Sequence, residues 1–159
     1  MNIIPPRKIK ELEAFLGKIN FLRRFISNLA EIIRELNNML KKDLVPRWTV
    51  EAKQSFDSIK QALTKTLVLI SPDFKKDFLI FSFALEHTIA AVLLQKNDQG
   101  FEQPINFFSN AVRDSPLKYN IMEKQALALV KAIKDFKVYI LYSHIIAYLP
   151  NSVVKDILT

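Results

Sequence analysis

The stretch from Asp77 to Gln95 reads Asp-Phe-Leu-Ile-Phe-Ser-Phe-Ala-Leu-Glu-His-Thr-Ile-Ala-Ala-Val-Leu-Leu-Gln, and it predicts the centre of the fold. Residues 78–85 are apolar or aromatic apart from one serine, which is typical of a strand covered on both faces. After the polar residues 86–88, a second β-prone run at 89–94 is close enough to pair with the first as an antiparallel hairpin. We therefore expect this hairpin to form the core of a sheet.

Downstream of the hairpin, the sequence predicts one more antiparallel strand, a long helix and a further strand. Residues 97–100, Asn-Asp-Gln-Gly, are a strong turn signal, and residues 103–109 form the third strand. A helix over residues 118–141 and a fourth strand at 145–149 follow. A last short helix, cut off by the chain end, completes the order βββαβα. The long helix is expected to bury Met122, Ala126, Leu129, Ile133, Phe136 and Ile140. Its charged residues are expected to be solvated or to face a partner: Glu123, Lys124, Lys131, Lys134 and Lys137.

Upstream of the hairpin, the apolar spacing predicts a small bundle of helices. A short amphipathic segment around Arg23-Arg24 precedes a helix that Ser27-Asn28 can cap and that runs to Lys41-Lys42. Thr49 is predicted to cap a further helix over residues 50–63. The first helix of the chain has one apolar face made of Ile9, Leu12, Leu16 and Ile19. The predicted fold class is α/β (α+β), in which an N-terminal helical segment precedes a mixed sheet.

Composition narrows the functional classes. The 159 residues carry a formal net charge of +7, which favours a polyanionic partner, although a basic soluble surface explains the same charge equally well. Only 2 glycines are present, so the Gly-rich loops that cradle nucleotide phosphates are absent. The lack of cysteine excludes disulfides and Cys-ligated zinc. No run of about 18 apolar residues occurs, so we expect no membrane insertion and an intracellular location, cytoplasmic or nuclear.

Several stretches, taken together and in order, carry a resemblance to a known family. In order they are residues 15–26 (Phe-Leu-Gly-Lys-Ile-Asn-Phe-Leu-Arg-Arg-Phe-Ile), 48–52 (Trp-Thr-Val-Glu-Ala), 67–74, 89–95 and 119–130. The chain resembles the pol polyprotein of gypsy-type (Metaviridae) LTR retrotransposons, from the thumb of reverse transcriptase into the ribonuclease H (RNase H) domain. The resemblance implies a thumb-like helical segment at 1–47, a connecting helix and linker at 48–75, and an RNase H-like domain, truncated at the C-terminus, at 76–159.

The same resemblance implies that the RNase H-like domain is catalytically degenerate. RNase H chemistry uses several carboxylates around two Mg²⁺ ions. The leading aspartate of active members aligns with Phe83, the second carboxylate matches Glu123, and the third is expected near Pro150, where no acid stands. We therefore expect no catalytic residue and no bound cofactor, as in plant Tat-like elements whose inner RNase H serves as a connection between the polymerase and a later nuclease. Asp77 as a displaced first aspartate is a much weaker reading.

Two other readings remain open from sequence. One is an active Mg²⁺-dependent RNase H with rearranged ligands. The other is a remnant or domesticated protein-interaction module. Polymerisation by this chain alone is not expected, because it holds no Asp-Asp pair and the palm would lie upstream. The expected partners are therefore an RNA/DNA hybrid or duplex backbone and the rest of a pol polyprotein: palm and fingers, a second RNase H in some arrangements, and integrase.

The basic and aromatic segment near the N-terminus is the predicted nucleic-acid contact. We expect its guanidinium groups to reach phosphates while Phe21 and Phe25 pack inside, as the resemblance to a thumb implies. The alternative is an ordinary amphipathic helix with a charged face. The predicted binding residues are Lys18, Arg23, Arg24, Lys41 and Lys42, and Lys75-Lys76 and the lysines of the long helix would extend the track.

The remaining candidates have structural interpretations. His87 and His144 have no acid or cysteine cluster at ligand spacing, so we expect turn or surface histidines rather than metal ligands. Phe81 and Phe83 are expected to fill the core against the long helix. An aspartate at position 83 would then be a buried, unpaired charge.

Overall fold

A computed structural model describes residues 3–42, 46–64, 69–113 and 115–150. Its centre is one four-stranded sheet in the order β3-β2-β1-β4. The first three strands are antiparallel neighbours, and the last pairs with β1 in parallel. The strands are β1 Phe78–Ala84, β2 Thr88–Lys96, β3 Glu102–Ala111 and β4 Ile145–Tyr148. The predicted hairpin and the interior position of its first strand are therefore confirmed.

The side chain of Asn97 and the conformation of Gly100 stabilise the turn between β2 and β3. The Asn97 side-chain oxygen accepts hydrogen bonds from the backbone amides of Gln99 (3.0 Å) and Phe101 (2.9 Å). Gly100 has φ of 85°, a left-handed conformation that favours glycine. This confirms the predicted turn, and β3 is longer than predicted because its pairing with β2 continues to Ala111 opposite Thr88.

The predicted long helix is divided in the structure. A 3₁₀ turn at Ser115–Lys118 precedes helix α5, which spans Ile121–Asp135. A short helix, α6, follows at Lys137–Ile140. Asn120 begins α5 through a reciprocal capping box with Glu123. The prediction of one uninterrupted helix over residues 118–141 was therefore wrong, because the helix begins later, at Ile121, and is broken before Lys137.

One face of the sheet packs against α5 and α6. Alternate residues of β1, Phe78 and Ile80, join Ala91 and Leu93 of β2 in a core with Leu129, Ala132, Phe136 and Ile140. Two predictions for the helix were wrong. Ile133 is exposed, whereas Lys124 is only 6% exposed and donates from Nζ to the Glu86 carbonyl oxygen at 2.8 Å. The aliphatic part of a lysine can be buried when its ammonium finds such an acceptor.

The opposite face of the sheet is more open. Phe81 stacks on Tyr148 of β4 with ring centroids 4.3 Å apart, and Phe83 is 39% exposed. Because side chains alternate along a strand, these rings lie on the face away from Phe78 and Ile80. The expectation that Phe81 and Phe83 fill the core against the long helix was therefore wrong, and so was the expectation that position 83 is buried.

The N-terminal part is a helical bundle with a core of its own. It contains α1 Ile9–Phe21, a 3₁₀ turn Arg23–Phe25, α2 Leu29–Ile32, α3 Arg34–Lys42 and α4 Val50–Thr64. Leu12, Leu16 and Ile19 of the predicted apolar face are buried there. The helix predicted between residues 29 and 42 is interrupted at Ile33, and Asn28 makes no side-chain cap because it has φ of 50°.

The cap of α4 and the placement of this helix follow from named contacts. The Ala52 amide donates to Thr49 Oγ1 at 3.2 Å, as predicted. Ala52 and Ile59 share the core of α1–α3, and Trp48 Nε1 donates to the Pro6 carbonyl oxygen at 3.0 Å. The division at residues 47 and 75 stays a prediction. Part of the resembling stretch at 67–74, and the whole predicted final helix, lie outside the described residues.

Two hydrogen bonds join the bundle to the sheet. Thr88 Oγ1, at the start of β2, donates to Glu31 Oε2 at 2.7 Å. The Ala30 amide donates to Ser109 Oγ of β3 at 2.9 Å. Thr88 is almost completely buried, so its hydroxyl depends on this acceptor. The contact therefore fixes α2 against the sheet and forms a seam between the two parts.

Candidate nucleic-acid interface

The predicted basic segment is exposed at the end of α1 and in the following 3₁₀ turn. Lys18, Arg23 and Arg24 all have exposed side chains. Arg23 Nη2 lies 3.9 Å from Asp135 Oδ1, and the Arg24 guanidinium lies 5.2 Å from the centre of the Phe25 ring. Exposed ion pairs and cation–π contacts of this kind are weak, so they leave these cations available to phosphates.

The aromatic rings of this segment do not pack inside as expected. Phe21 is 82% exposed and Phe25 is 38% exposed. Smaller apolar side chains on neighbouring turns, Ile19 and Ile26, fill the core instead. The segment therefore presents rings and cations on one exposed surface, and the predicted separation of rings from cations was wrong.

The second predicted basic site, Lys41-Lys42, lies at the end of α3. Lys41 is exposed beside a groove that Asn37, Asn38 and Arg113 also line. The side chain of Lys42 lies outside what the structure describes. Sequence reasoning missed Arg113, since nothing in its neighbourhood signals that the end of β3 returns to α3.

The lysines named as extensions of the track differ in their environments. Lys76 Nζ lies 2.6 Å from Asp98 Oδ1, and this hydrogen bond raises the pKa of Lys76 and lowers the pKa of Asp98. Lys124 is buried, as described above, whereas Lys131 and Lys134 are exposed. Lys76 and Lys124 therefore already have protein partners, and the predicted solvation of Lys124 was wrong.

Two of the positions at which the resemblance implies carboxylates, 83 and 150, lie at one edge of the sheet. The parallel register places Phe81 beside Tyr148, so position 83 and position 150, two residues further along each strand, face the same edge. They are Phe83 and Pro150, neither of which has an acidic side chain.

Glu123, the remaining family carboxylate, has a local structural role. Its side chain accepts a hydrogen bond from the Asn120 amide at 2.9 Å, while its own amide donates to Asn120 Oδ1 at 2.9 Å. Its carboxylate therefore stabilises the first turn of α5.

The donor set does not fit a Mg²⁺ site. Within residues 3–42, 46–64, 69–113 and 115–150, no three His, Cys, Asp or Glu side chains come together in a way that could hold a metal. Two-metal hydrolysis requires several oxygen ligands. The residues at positions 83, 123 and 150 supply one carboxylate, which already caps a helix.

Asp77 and His144 lie at the opposite end of β1 from Phe83, whereas His87 lies in the hairpin turn that follows Phe83. His144 Nδ1 is 3.0 Å from Asp77 Oδ1 just before β1 begins, and His87 Nε2 is 3.6 Å from Glu86 Oε1 in the hairpin turn. This agrees with the expectation of turn or surface histidines.

Among the helices that the structure describes, none is long and apolar enough to cross a membrane.

Comparison with solved structures supports the fold along nearly the whole chain. The foamy viral protease-reverse transcriptase dRH in complex with ds DNA matches with a TM-score of 0.82 at 28% identity, over 99% of this chain and 28% of that one. The same kind of protein in complex with RNA/DNA hybrid matches with a TM-score of 0.77 at 28% identity, over 94% of this chain and 20% of that one. The predicted RNase H-like fold class is therefore confirmed.

Comparison with known sequences places the chain in a family. Transposon Tf2-3 and Tf2-4 polyproteins of Schizosaccharomyces pombe are each 36% identical to it over 135 residues, 85% of this chain and 10% of each polyprotein. The chain thus spans about a tenth of the length of these curated relatives. A family model described as "RNase H-like domain found in reverse transcriptase" matches residues 48–147. The predicted resemblance to retrotransposon polyproteins is therefore confirmed. The chain belongs to the family of RNase H-like domains found in reverse transcriptases.

Proposed function

We propose that this chain is a non-catalytic nucleic-acid-binding part of a retrotransposon reverse transcriptase. It binds the backbone of an RNA/DNA hybrid or a DNA duplex without sequence selectivity. The observation that carries the proposal is the exposed cationic surface of Lys18, Arg23 and Arg24, in a chain with a net charge of +7. The foamy viral proteins with the same fold, in complexes with ds DNA and with hybrid, support this assignment.

Binding by this surface is electrostatic. Arginine and lysine side chains on a helix reach phosphate oxygens, which are the same for every base sequence. Each phosphate contact releases condensed counterions, so affinity falls as salt rises. The exposed rings of Phe21 and Phe25 add surface on which an unpaired base can stack.

The non-catalytic part of the proposal follows from the sheet edge at Phe83 and Pro150. Phosphodiester hydrolysis by two metals needs a cluster of carboxylates. No three His, Cys, Asp or Glu side chains of the described residues are grouped in that way, and Glu123 is the one acid among positions 83, 123 and 150. The domain then serves as a connection-type scaffold that positions nucleic acid for other parts of the polyprotein. Its expected neighbours are the palm and fingers upstream, and a second RNase H or integrase downstream.

Within the retrotransposons, we propose that the chain comes from a gypsy-type element, with an arrangement of domains like that of the plant Tat group. The support is the set of sequence stretches quoted above together with phenylalanine at position 83. Sequencing of the flanking coding region tests it. A paired-aspartate palm motif upstream and an intact RNase H downstream are expected, and an uninterrupted host gene on both sides would contradict it.

A second candidate, an RNase H with rearranged ligands, has one observation in its favour. Glu123 is exposed at the position of a family carboxylate. Its capping hydrogen bonds and the absence of a second acid at positions 83 and 150 weigh against this candidate.

A binding titration tests the main proposal. The protein is titrated into a fluorescent RNA/DNA hybrid at about 50 and about 200 mM salt, and a variant with Lys18→Gln, Arg23→Gln and Arg24→Gln is compared. The variant is expected to bind more weakly and to lower the slope of log affinity against log salt by up to about 2.7. A control with Lys10→Gln, Lys53→Gln and Lys96→Gln removes the same charge at exposed positions outside the predicted track and should change the affinity less. Affinity that is absent or indifferent to salt would contradict the proposal.

A further inference from the structure

A groove lies along the seam between the helical bundle and the sheet. Its volume is about 450 Å³, and it is open to solvent along its length. One wall comes from α2 and α3, and the other comes from the end of β3 and the hairpin turn. Its polar lining consists of Arg34, Asn37, Asn38, Lys41, His87 and Arg113. No carboxylate among the described residues lines this groove.

The cations of the groove differ in whether protein acids neutralise them. Arg34 Nε lies 3.3 Å from Glu31 Oε1 and Arg34 Nη2 lies 3.4 Å from Glu35 Oε1, so two carboxylates offset its charge. Lys41 and Arg113 are exposed, and neither has an ion-pair partner in the part of the chain that the structure describes. Two cations that have no ion-pair partner among the described residues therefore line one groove from elements far apart in sequence.

The groove continues towards the basic segment of α1. A second groove shares Ala30, Asn37, Ala111 and Arg113 with the first and leads to Asn20 and Arg23. It contains one carboxylate, Asp135, which lies 3.9 Å from Arg23. Arg113 therefore stands in the middle of a continuous track that has Arg23 at one end and Lys41 at the other.

The walls of this track are held in place before any ligand binds. The hydrogen bonds from Thr88 to Glu31 and from Ala30 to Ser109 join α2 to β2 and β3 beside the groove. A groove whose walls are already ordered loses less conformational entropy on binding than a pair of mobile segments.

We propose that this seam groove binds the phosphodiester backbone of a nucleic-acid strand, with Lys41 and Arg113 as its phosphate contacts. The proposal rests on the nucleic-acid binding proposed above and adds a site between the thumb-like segment and the sheet. The Arg113 guanidinium offers paired donors to one phosphate, and Lys41 supplies a point charge to another. The Asn37 and Asn38 amides line the same wall and can donate to phosphate oxygens between them.

A double substitution in the full chain tests the proposal. Lys41→Gln with Arg113→Gln is compared with Lys53→Gln plus Lys96→Gln, which removes the same charge at two exposed positions outside the groove. The probe is a short RNA/DNA hybrid, titrated at about 50 and about 200 mM salt. The groove variant is expected to lose roughly tenfold in affinity at the lower salt and about 1.8 from the salt slope, whereas the control stays within about twofold.

Further measurements separate the possible outcomes. The charge-conserving pair Lys41→Arg and Arg113→Lys should restore most of the affinity, and all variants should keep the wild-type circular dichroism spectrum and unfolding midpoint. Equal losses in the groove and control variants would overturn the seam site while leaving the binding function intact. A wild-type chain that fails to bind the hybrid at all would instead overturn the proposed function, and the seam site with it.

Discussion

The sheet edge at Phe83 and the seam groove at Arg113 differ in the charges they hold. At the edge, the ends of β1 and β4 come together where the family places carboxylates, yet they supply Phe83 and Pro150. At the groove, Lys41 and Arg113 stand without a carboxylate among the described lining residues. Metal ions need clustered oxygen ligands, whereas phosphates need cations. This difference supports the proposal that the chain holds a nucleic-acid backbone without cutting it.

The largest expected effect concerns the core between the sheet and α5, on which both regions depend for their position. Phe136 follows α5, is fully buried, and makes an edge contact with Phe108 at 6.4 Å between ring centroids. Phe136→Ala should lower the free energy of unfolding by about 3–5 kcal/mol, because it leaves a cavity in the core. Urea denaturation measures this loss. Val138→Ala, at an exposed position two residues away, should change it by about 0.5 kcal/mol or less. Equal effects of the two substitutions would show that α5 is not packed as described.

A smaller effect is expected at the seam itself. Thr88→Val keeps the shape of the side chain but removes the hydroxyl that donates to Glu31 at 2.7 Å. The loss should lower the free energy of unfolding by about 1.5–3 kcal/mol, since the acceptor is a carboxylate. Thr88→Ser, which keeps the donor, serves as the control in the same denaturation experiment. Wild-type stability for the valine variant would mean that this bond does not hold the seam.

The smallest expected effect is at the sheet edge. Phe83→Asp should lower the free energy of unfolding by about 1 kcal/mol, because the side chain is partly exposed and the new charge stays hydrated. Ile80→Asp, on the buried face of the same strand, should destabilise the protein much more. Thermal unfolding of the two variants makes the comparison. A greater loss from the substitution at position 83 would place Phe83 in the core after all.

The local signals in the sequence predicted much of the fold. The apolar runs on either side of residues 86–88 specified the hairpin, and Thr49 and Asn97 marked a cap and a turn through hydrogen bonds that the structure contains. These interactions join residues close together in the chain, so their residue types are sufficient to anticipate them.

The wrong or missed predictions concern residues whose positions depend on packing between elements that are distant in the chain. A continuous apolar strand does not reveal which of its faces receives the helix, so Phe83 was assigned to the wrong face. Lys124 is buried because the Glu86 carbonyl lies within reach, and only the packed helix shows this. Arg113 joins Lys41 only through the packing of β3 beside the bundle, for which the sequence has no local signal.

The most direct test of the central claim measures whether the protein cleaves an RNA/DNA hybrid that it has bound. An end-labelled RNA/DNA hybrid is incubated with Mg²⁺ and enough protein to bind all of it, and the products are resolved over time. Glu123→Gln is the matched variant, since glutamine can still complete the capping box. We predict that both proteins bind the hybrid and leave it intact. Magnesium-dependent cleavage by the wild-type protein that Glu123→Gln abolishes would contradict the account.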